Sequence, residues 1–168
     1  MSVVALVTGG SCGIGAETAL LLARAGMRVA VGYEKNEEAA LRVVSGICSA
    51  GGTAVAVRAD VADGAQVRAM VEEVKRVLGA PDVLVNSAGA ACRKLLIDMT
   101  DAEWARVLDV NLSGAYHTIH ACLPDMLSAR HGAIVNVSSM WGQIGGSCET
   151  AYSAAKAGLI GLTRALAK

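Results

Sequence analysis

Five short apolar runs punctuate this chain, and a helical pattern follows each of them. Val3–Thr8, Arg28–Tyr33, Thr53–Arg58, Val83–Asn86 and Ala133–Ser138 read as strands. An unbroken run such as Val3–Thr8 is satisfied only by burial on both faces, the condition of an inner strand in a parallel sheet. Between the strands, Ile14–Ala25 ends at Gly26 and Glu37–Ala50 at Gly51-Gly52, both natural helix stops. Asp63 with Gln66, and Thr100 with Glu103, have the spacing of capping boxes. The first opens a helix to Leu78; the second opens a long helical stretch through Ala129, with a kink expected at Pro124. Thr150–Lys168 reads as the last helix. Strand–helix alternation of this kind predicts an α/β fold: a doubly wound parallel sheet with helices on both faces.

Composition removes several alternatives. The 168 residues are 54% hydrophobic and only 18% charged, which excludes a disordered chain. Fifteen basic and fifteen acidic side chains cancel, so no basic surplus exists to make nucleic acid the main partner. No apolar run approaches the length of a membrane span, and the amino terminus lacks a basic region ahead of an apolar one. The five cysteines are scattered without a C-x-x-C pair, which speaks against a zinc framework or a secreted disulfide scaffold. No metal site is expected. The reading is a cytoplasmic protein with one domain spanning 1–168.

The first strand runs directly into Thr8-Gly9-Gly10-Ser11-Cys12-Gly13-Ile14-Gly15, where the first helix opens. Glycines at 9, 13 and 15 have separable uses: a tight turn, close approach of backbone to a pyrophosphate, and close packing of helix on sheet. A helix amino terminus offers unpaired N–H groups and partial positive charge to phosphates. This is a Rossmann-like dinucleotide-binding arrangement, although a tight strand-to-helix connection alone would read similarly.

Further along, Tyr152 and Lys156 are four apart and share one helix face. A free tyrosine keeps its proton until about pH 10, and an adjacent ammonium stabilises the phenolate, so Tyr152 becomes a usable proton donor near neutrality. Ser139 can donate a hydrogen bond to a substrate oxygen on which negative charge develops.

Taken together, these motifs resemble the short-chain dehydrogenase/reductase family. Thr-Gly-x-x-x-Gly-x-Gly matches its cofactor fingerprint, and Asp60-Val61, Asn86-Ser87-Ala88-Gly89, Asn111, Ser139, Tyr152 and Lys156 follow in the family's order. The resemblance implies that Thr8, Gly9, Ser11, Cys12, Gly13, Ile14 and Gly15 cradle the cofactor. It implies that Asp60 and Val61 hold its adenine, and that Asn86, Ala88 and Gly89 line it near the ribose. It also implies that Tyr152 and Lys156 touch the cofactor while acting in catalysis, and that Asn111 holds a water in a proton relay. Ser87 departs from the asparagine usual there. Tyr33 stands at the second-strand position where an acid would select NAD, so NADPH is favoured and NAD is the alternative. Glu34 and Cys12 weigh against that preference, the latter standing where many NADPH-using relatives carry arginine; Lys35 is a candidate counter-charge.

The expected activity is NAD(P)H-dependent reduction of a ketone to a secondary alcohol. General resemblance points to 3-oxoacyl-carrier-protein reductases. The loop from Trp141 to Glu149 is more similar to reductases of the 5-aminopentanone modification on elongation factor P. Glu149 would then pair with a substrate ammonium and Trp141 offer a cation–π surface, or Glu149 is a carboxylate favoured by a helix amino terminus. His117, His120 and His131 are assigned no catalytic role, and Trp104 is expected to pack its helix.

The resemblance further implies two more strands and a substrate-covering segment beyond the last helix, so the chain is expected to be incomplete at its carboxyl end relative to the family. The fifth strand would be a sheet edge, and the nearly all-apolar last helix would need burial on two sides. Both favour a homo-oligomer, a dimer or tetramer. A dinucleotide-binding sensor or scaffold without turnover is the alternative function.

Overall fold

In the computed structural model, which describes residues 3–168, β1 (Val4–Thr8) occupies the centre of a five-stranded parallel sheet. The amino-terminal reading and the 1–168 domain span include Met1 and Ser2, which lie outside the described residues. β2 (Arg28–Tyr33) and β4 (Val83–Asn86) flank β1, and β3 (Thr53–Arg58) and β5 (Ala133–Asn136) complete the order β3-β2-β1-β4-β5. Leu6 pairs across to Ala30 and Leu84, and Thr8 to Asn86. This is the doubly wound sheet that strand–helix alternation demands.

Two apolar layers hold it. Leu6 points into a cluster with Leu84, where α3 (Gly64–Val77) supplies Val67, Val71 and Val74, and α5 (Gly114–Ala129) supplies Ile119 and Met126. Val7 points the other way, toward Val29 and Val31, with Ala19 of α1 (Gly13–Arg24) and Ala40 and Ile47 of α2 (Glu37–Ser49). Alternation along a fully buried strand therefore feeds both faces, each large aliphatic contributing about 1.5–3 kcal/mol. Cys122, wholly enclosed in the first layer, has its thiol pushed up to about 12 by burial.

The structure departs from the sequence reading in four places. The long helical stretch is divided: α4 (Asp101–Leu108) passes into a π-helical turn, Asp109–Ser113, before α5 begins. At this turn Asn111 Nδ2 donates to the Val107 carbonyl at 2.8 Å, the oxygen that a regular helix reserves for a main-chain N–H. Asp63 caps α3, but Gln66 does not return to the cap backbone; its Oε1 accepts from Asp60 N at 3.1 Å. Thr100 and Glu103 do form the full capping box. A 3-10 turn, Leu96–Asp98, and a short helix α6 (Trp141–Ile144) were not foreseen, because each is shorter than the window in which periodicity registers. Finally, several ends move by one or two residues: β1 starts at Val4, β5 stops at Asn136 and α7 (Thr150–Leu166) stops short of Lys168.

β5 forms one end of the sheet, with Val135 51% exposed. Helix α7 buries Ala151, Ala155, Lys156 and Leu159 along one stripe while Leu166 stays 43% exposed. Its second apolar face is therefore open in the single chain.

Candidate active site

Where β1 and β4 lie side by side, the chain leaves β1 for one layer and β4 for the other. Crevices at such a point, outside the carboxyl ends of the strands, take ligands. Here a cavity of about 230 Å³ lies between the β1–α1 turn, the β2 exit and the β4 exit. Of the residues singled out in the sequence, Thr8, Gly9, Ser11, Cys12, Tyr33, Val61, Ala88 and Gly89 line it. Glu34, Lys35 and Asn36 form its rim beyond Tyr33.

Backbone shape makes the cradle. Gly9 has φ +64°, and a Cβ there would sit 2.8 Å from the Ala88 backbone. A Cβ on Gly15 would collide with the Gly9 carbonyl oxygen, so the helix can begin this close to the turn only with glycine. Cys12, the N-cap of α1, gives no side-chain hydrogen bond to the helix, which leaves the first-turn N–H groups to an anion. The Thr8 hydroxyl accepts from Ser87 N and Ala88 N, both at 3.2 Å, and so ties the β4 exit to the glycine turn. These features fit a dinucleotide diphosphate: an enclosed wall of glycine backbone, unpaired N–H groups and no carboxylate on the turn itself.

Two of the predicted residues, Asn86 and Asp60, carry side-chain hydrogen bonds within the chain. Asn86 lines a small pocket that shares Thr8, Val61, Ala88 and Val110 with the cavity; its Nδ2 donates to Asn136 Oδ1 at 2.9 Å, and its Oδ1 accepts from Thr118 Oγ1 at 2.6 Å. Asn136 Nδ2 continues the chain to Thr163 on α7. Asp60 accepts from Ala62 N and from Arg106 Nη1. Partial burial opposes its ionisation, but those hydrogen bonds and the Arg106 charge hold its carboxyl below the ordinary range. Sequence reading missed Arg106, whose partner lies 46 positions away. His117, assigned no catalysis, places its Nδ1 2.9 Å from the Val61 carbonyl and so fixes that part of the wall. Tyr33 is almost fully buried, and burial, with the Glu37 charge, raises its phenol above the ordinary value.

Behind Gly89, a residue of the cavity wall, stand Asn111 and Lys156, with Tyr152 beside the lysine. Lys156 is only 4% exposed; its Nζ donates to the Val137 carbonyl at 2.9 Å and lies 5.5 Å from the centre of the Tyr152 ring. Burial lowers its ammonium below the ordinary value. Gly89 brings the groups together: a Cβ there would be 3.0 Å from Asn111 Oδ1 and 4.0 Å from Lys156 Nζ. Asn111 Nδ2 is committed to the Val107 and Ala90 carbonyls, whereas its buried Oδ1 has no hydrogen-bond partner among the described residues. That orphan acceptor, aimed beside an ammonium, suits a bridging water. The π-helical turn puts it there.

Ser139 follows β5, and its Oγ accepts from Trp141 N at 3.2 Å. The same segment is clamped to α7, with Ser138 Oγ donating to the Lys156 carbonyl at 3.0 Å and Gly142 packed against the Lys156 backbone. Glu149 occupies the N-cap of α7 but makes no cap hydrogen bond, and its Oε2 is buried without a partner among the described residues. Among the described residues no group of potential ligands forms a metal site, and no helix is long and apolar enough to cross a membrane.

The family model for the short chain dehydrogenase matches residues 3–168. The chain belongs to that family. Among curated relatives, the 3-oxoacyl-[acyl-carrier-protein] reductase FabG of Staphylococcus aureus is 45% identical over 168 residues, all of this chain and 68% of the relative. The 3-oxoacyl-[acyl-carrier-protein] reductase of Synechocystis sp. is 43% identical over 165 residues, 98% of this chain and 67% of the relative. The FabG reductase of Pseudomonas aeruginosa is 40% identical over 165 residues, covering 98% and 66%. In this short chain dehydrogenase the match to the Staphylococcus aureus relative runs over the whole chain, from the glycine turn to the Tyr152 helix.

Proposed function

We propose that this chain carries the site of an NAD(P)H-dependent reductase that converts a ketone to a secondary alcohol, with a 3-oxoacyl group on a carrier protein as the substrate class. The observation that carries the reading is the Lys156 ammonium, buried 5.5 Å from the centre of the Tyr152 ring and close behind Gly89 of the glycine-walled cavity. A bound reduced nicotinamide supplies hydride. Tyr152 delivers a proton to the ketone oxygen, its phenolate stabilised by Lys156. Ser139 Oγ, oriented by Trp141 N–H, donates to the same oxygen as charge builds on it. Asn111 Oδ1 holds a water through which the proton on Tyr152 is replaced. Thr8, Gly9, Ser11, Cys12, Gly13, Ile14 and Gly15 hold the diphosphate, and Val61, Ala88 and Gly89 the nucleoside portions. NADPH is the preferred coenzyme on the strength of Tyr33 at the β2 exit, and relatives named as carrier-protein reductases support the substrate class.

The test is loss of NADPH absorbance with a panel of 3-oxoacyl thioesters, wild type against Tyr152→Phe. Removing the proton donor should cut kcat by about 100- to 10,000-fold while coenzyme affinity stays within about threefold. Coenzyme binding without oxidation in the wild type would overturn the reductase reading and leave a sensor or scaffold.

One observation favours a second substrate. The buried, unpartnered Glu149 Oε2 suits an ammonium, as on the 5-aminopentanone modification of elongation factor P, with Trp141 on the same loop. Glu149→Gln should then lower kcat/KM for an aminoketone about tenfold or more beyond its effect on a neutral ketone of equal size. Equal loss on both would make Glu149 a structural residue of the α7 start. The open stripe of α7 supports a homo-oligomer, for which a second copy of the chain would supply the missing cover.

A further inference from the structure

Arg106 is paired with Glu34, an acid of the cavity rim. Its Nη1 donates to Asp60 Oδ2 at 2.6 Å, and its Nη2 lies 3.1 Å from Glu34 Oε1. One guanidinium from α4 thus bridges two carboxylates delivered by the exits of β3 and β2. Glu34 lines the cavity next to Tyr33. The other nearby cations address it less well: Lys35 Nζ is 3.5 Å away on a side chain 82% exposed, and Arg58 donates to the Glu34 main-chain carbonyl.

A bare carboxylate near the end of the second strand binds a ribose 2′-hydroxyl and repels a 2′-phosphate, whereas a nearby arginine accommodates the phosphate. Here the rim acid, Glu34, is paired with an arginine reaching it from α4. We propose that Arg106 determines coenzyme selectivity: by pairing with Glu34 and Asp60 it masks the acid at the cavity mouth, so that a 2′-phosphorylated dinucleotide is accepted. The proposal rests on the dinucleotide reading of the cavity. Without Arg106, Glu34 and Asp60 keep only the solvated Lys35 and Arg58, whose guanidinium is engaged with a main-chain carbonyl, and the second-strand acid becomes the dominant charge at the rim. Arg106 touches neither the glycine turn nor Tyr152; it acts on selectivity through Glu34.

Equilibrium binding of NADPH and of NADH, followed by coenzyme fluorescence on the whole chain, tests this without turnover. Arg106→Gln should weaken NADPH about tenfold more than NADH, and adding Glu34→Gln should bring the ratio back to within about threefold of wild type. Glu34→Gln alone, a change at a half-exposed side chain, should improve the NADPH/NADH ratio by no more than about threefold, because the charge it removes is already masked. Equal weakening of both coenzymes by Arg106→Gln, or failure of Glu34→Gln to restore the ratio, overturns the proposal. If Arg106→Gln does not fold, Glu34→Gln still decides: a gain in NADPH selectivity above about tenfold means the acid was unmasked in the wild type, and the proposal fails. A wild-type chain that binds neither coenzyme fails the dinucleotide reading itself, a result distinct from each of these.

Discussion

The two ends of the candidate site are built in different ways. At the β1–α1 turn the wall is main chain: glycine backbone at 9 and 15, helix N–H groups, and a Thr8 hydroxyl that ties the turn to the next strand exit. At the α7 end the site is side chains: a buried ammonium, a phenol, an amide oxygen without a partner. The first end sits on β1, where every residue is buried; the second sits beside β5, at the sheet's end, where Val135 is half exposed. A backbone-built site is fixed once the turn closes, so its chemistry is anion binding and little else. A site built from side chains can do proton chemistry, but only if packing holds them, and its groups are costly to bury.

The sharpest way to break the comparison is at Gly15. Alanine there puts a methyl group against the Gly9 carbonyl, and no side chain can move aside to relieve it. We expect about 100-fold weaker coenzyme binding and about 1–3 kcal/mol lower stability, measured by fluorescence titration and denaturant melts. Loss of binding at this site should follow from shape alone, with no titratable group involved.

Lys156→Met should do the reverse: leave the structure and remove the chemistry. Turnover is expected to fall at least about 100-fold. Stability should change by less than about 1 kcal/mol at neutral pH, because the lost bond to Val137 is offset by relief of a buried charge. The sign of the pH dependence separates the two effects. Burial lowers the folded ammonium below its ordinary value, so between the two values the unfolded chain binds the extra proton. Wild-type stability therefore gains a rising contribution as pH climbs through that window toward about 10.4, and below the window the burial cost is fully present. The methionine variant should lack that rise. A wild-type-like alkaline stability profile in Lys156→Met would show that the ammonium is not what burial penalises.

The same division explains what could be seen in the sequence. The glycine turn and the strands were legible because their causes are local: an unbroken apolar run, a glycine where the chain must approach itself, a capping pair three residues apart. Tyr152 and Lys156 were legible because helical spacing alone puts them on one face. Arg106 was not, since its carboxylate partners come from the exits of two other strands and no local pattern announces the meeting. The π-helical turn was hidden too. An asparagine inside a helical pattern gives no sign that its amide will take the Val107 carbonyl, which depends on the Ala90 segment being there to hold the other hydrogen. The hydrogen bond of the Asn86 amide to Asn136 was hidden as well, because it follows only from the pairing of β4 with β5.

That amide gives the smallest expected effect on function and the finest probe of how the two ends are joined. Thr118, Asn86, Asn136 and Thr163 form a run of hydrogen bonds from α5 through β4 and β5 to α7. Thr118→Val keeps the shape of the side chain while leaving Asn86 Oδ1 without its donor in a buried place, at a cost of about 1–3 kcal/mol. The glycine cradle does not use this run, so coenzyme affinity should stay within about threefold. The α7 end does use it, through Thr163, so turnover should fall more than affinity does. Parallel losses of affinity and turnover, measured on the same preparation, would mean that the two ends share one rigid frame and that the contrast between them is chemical only.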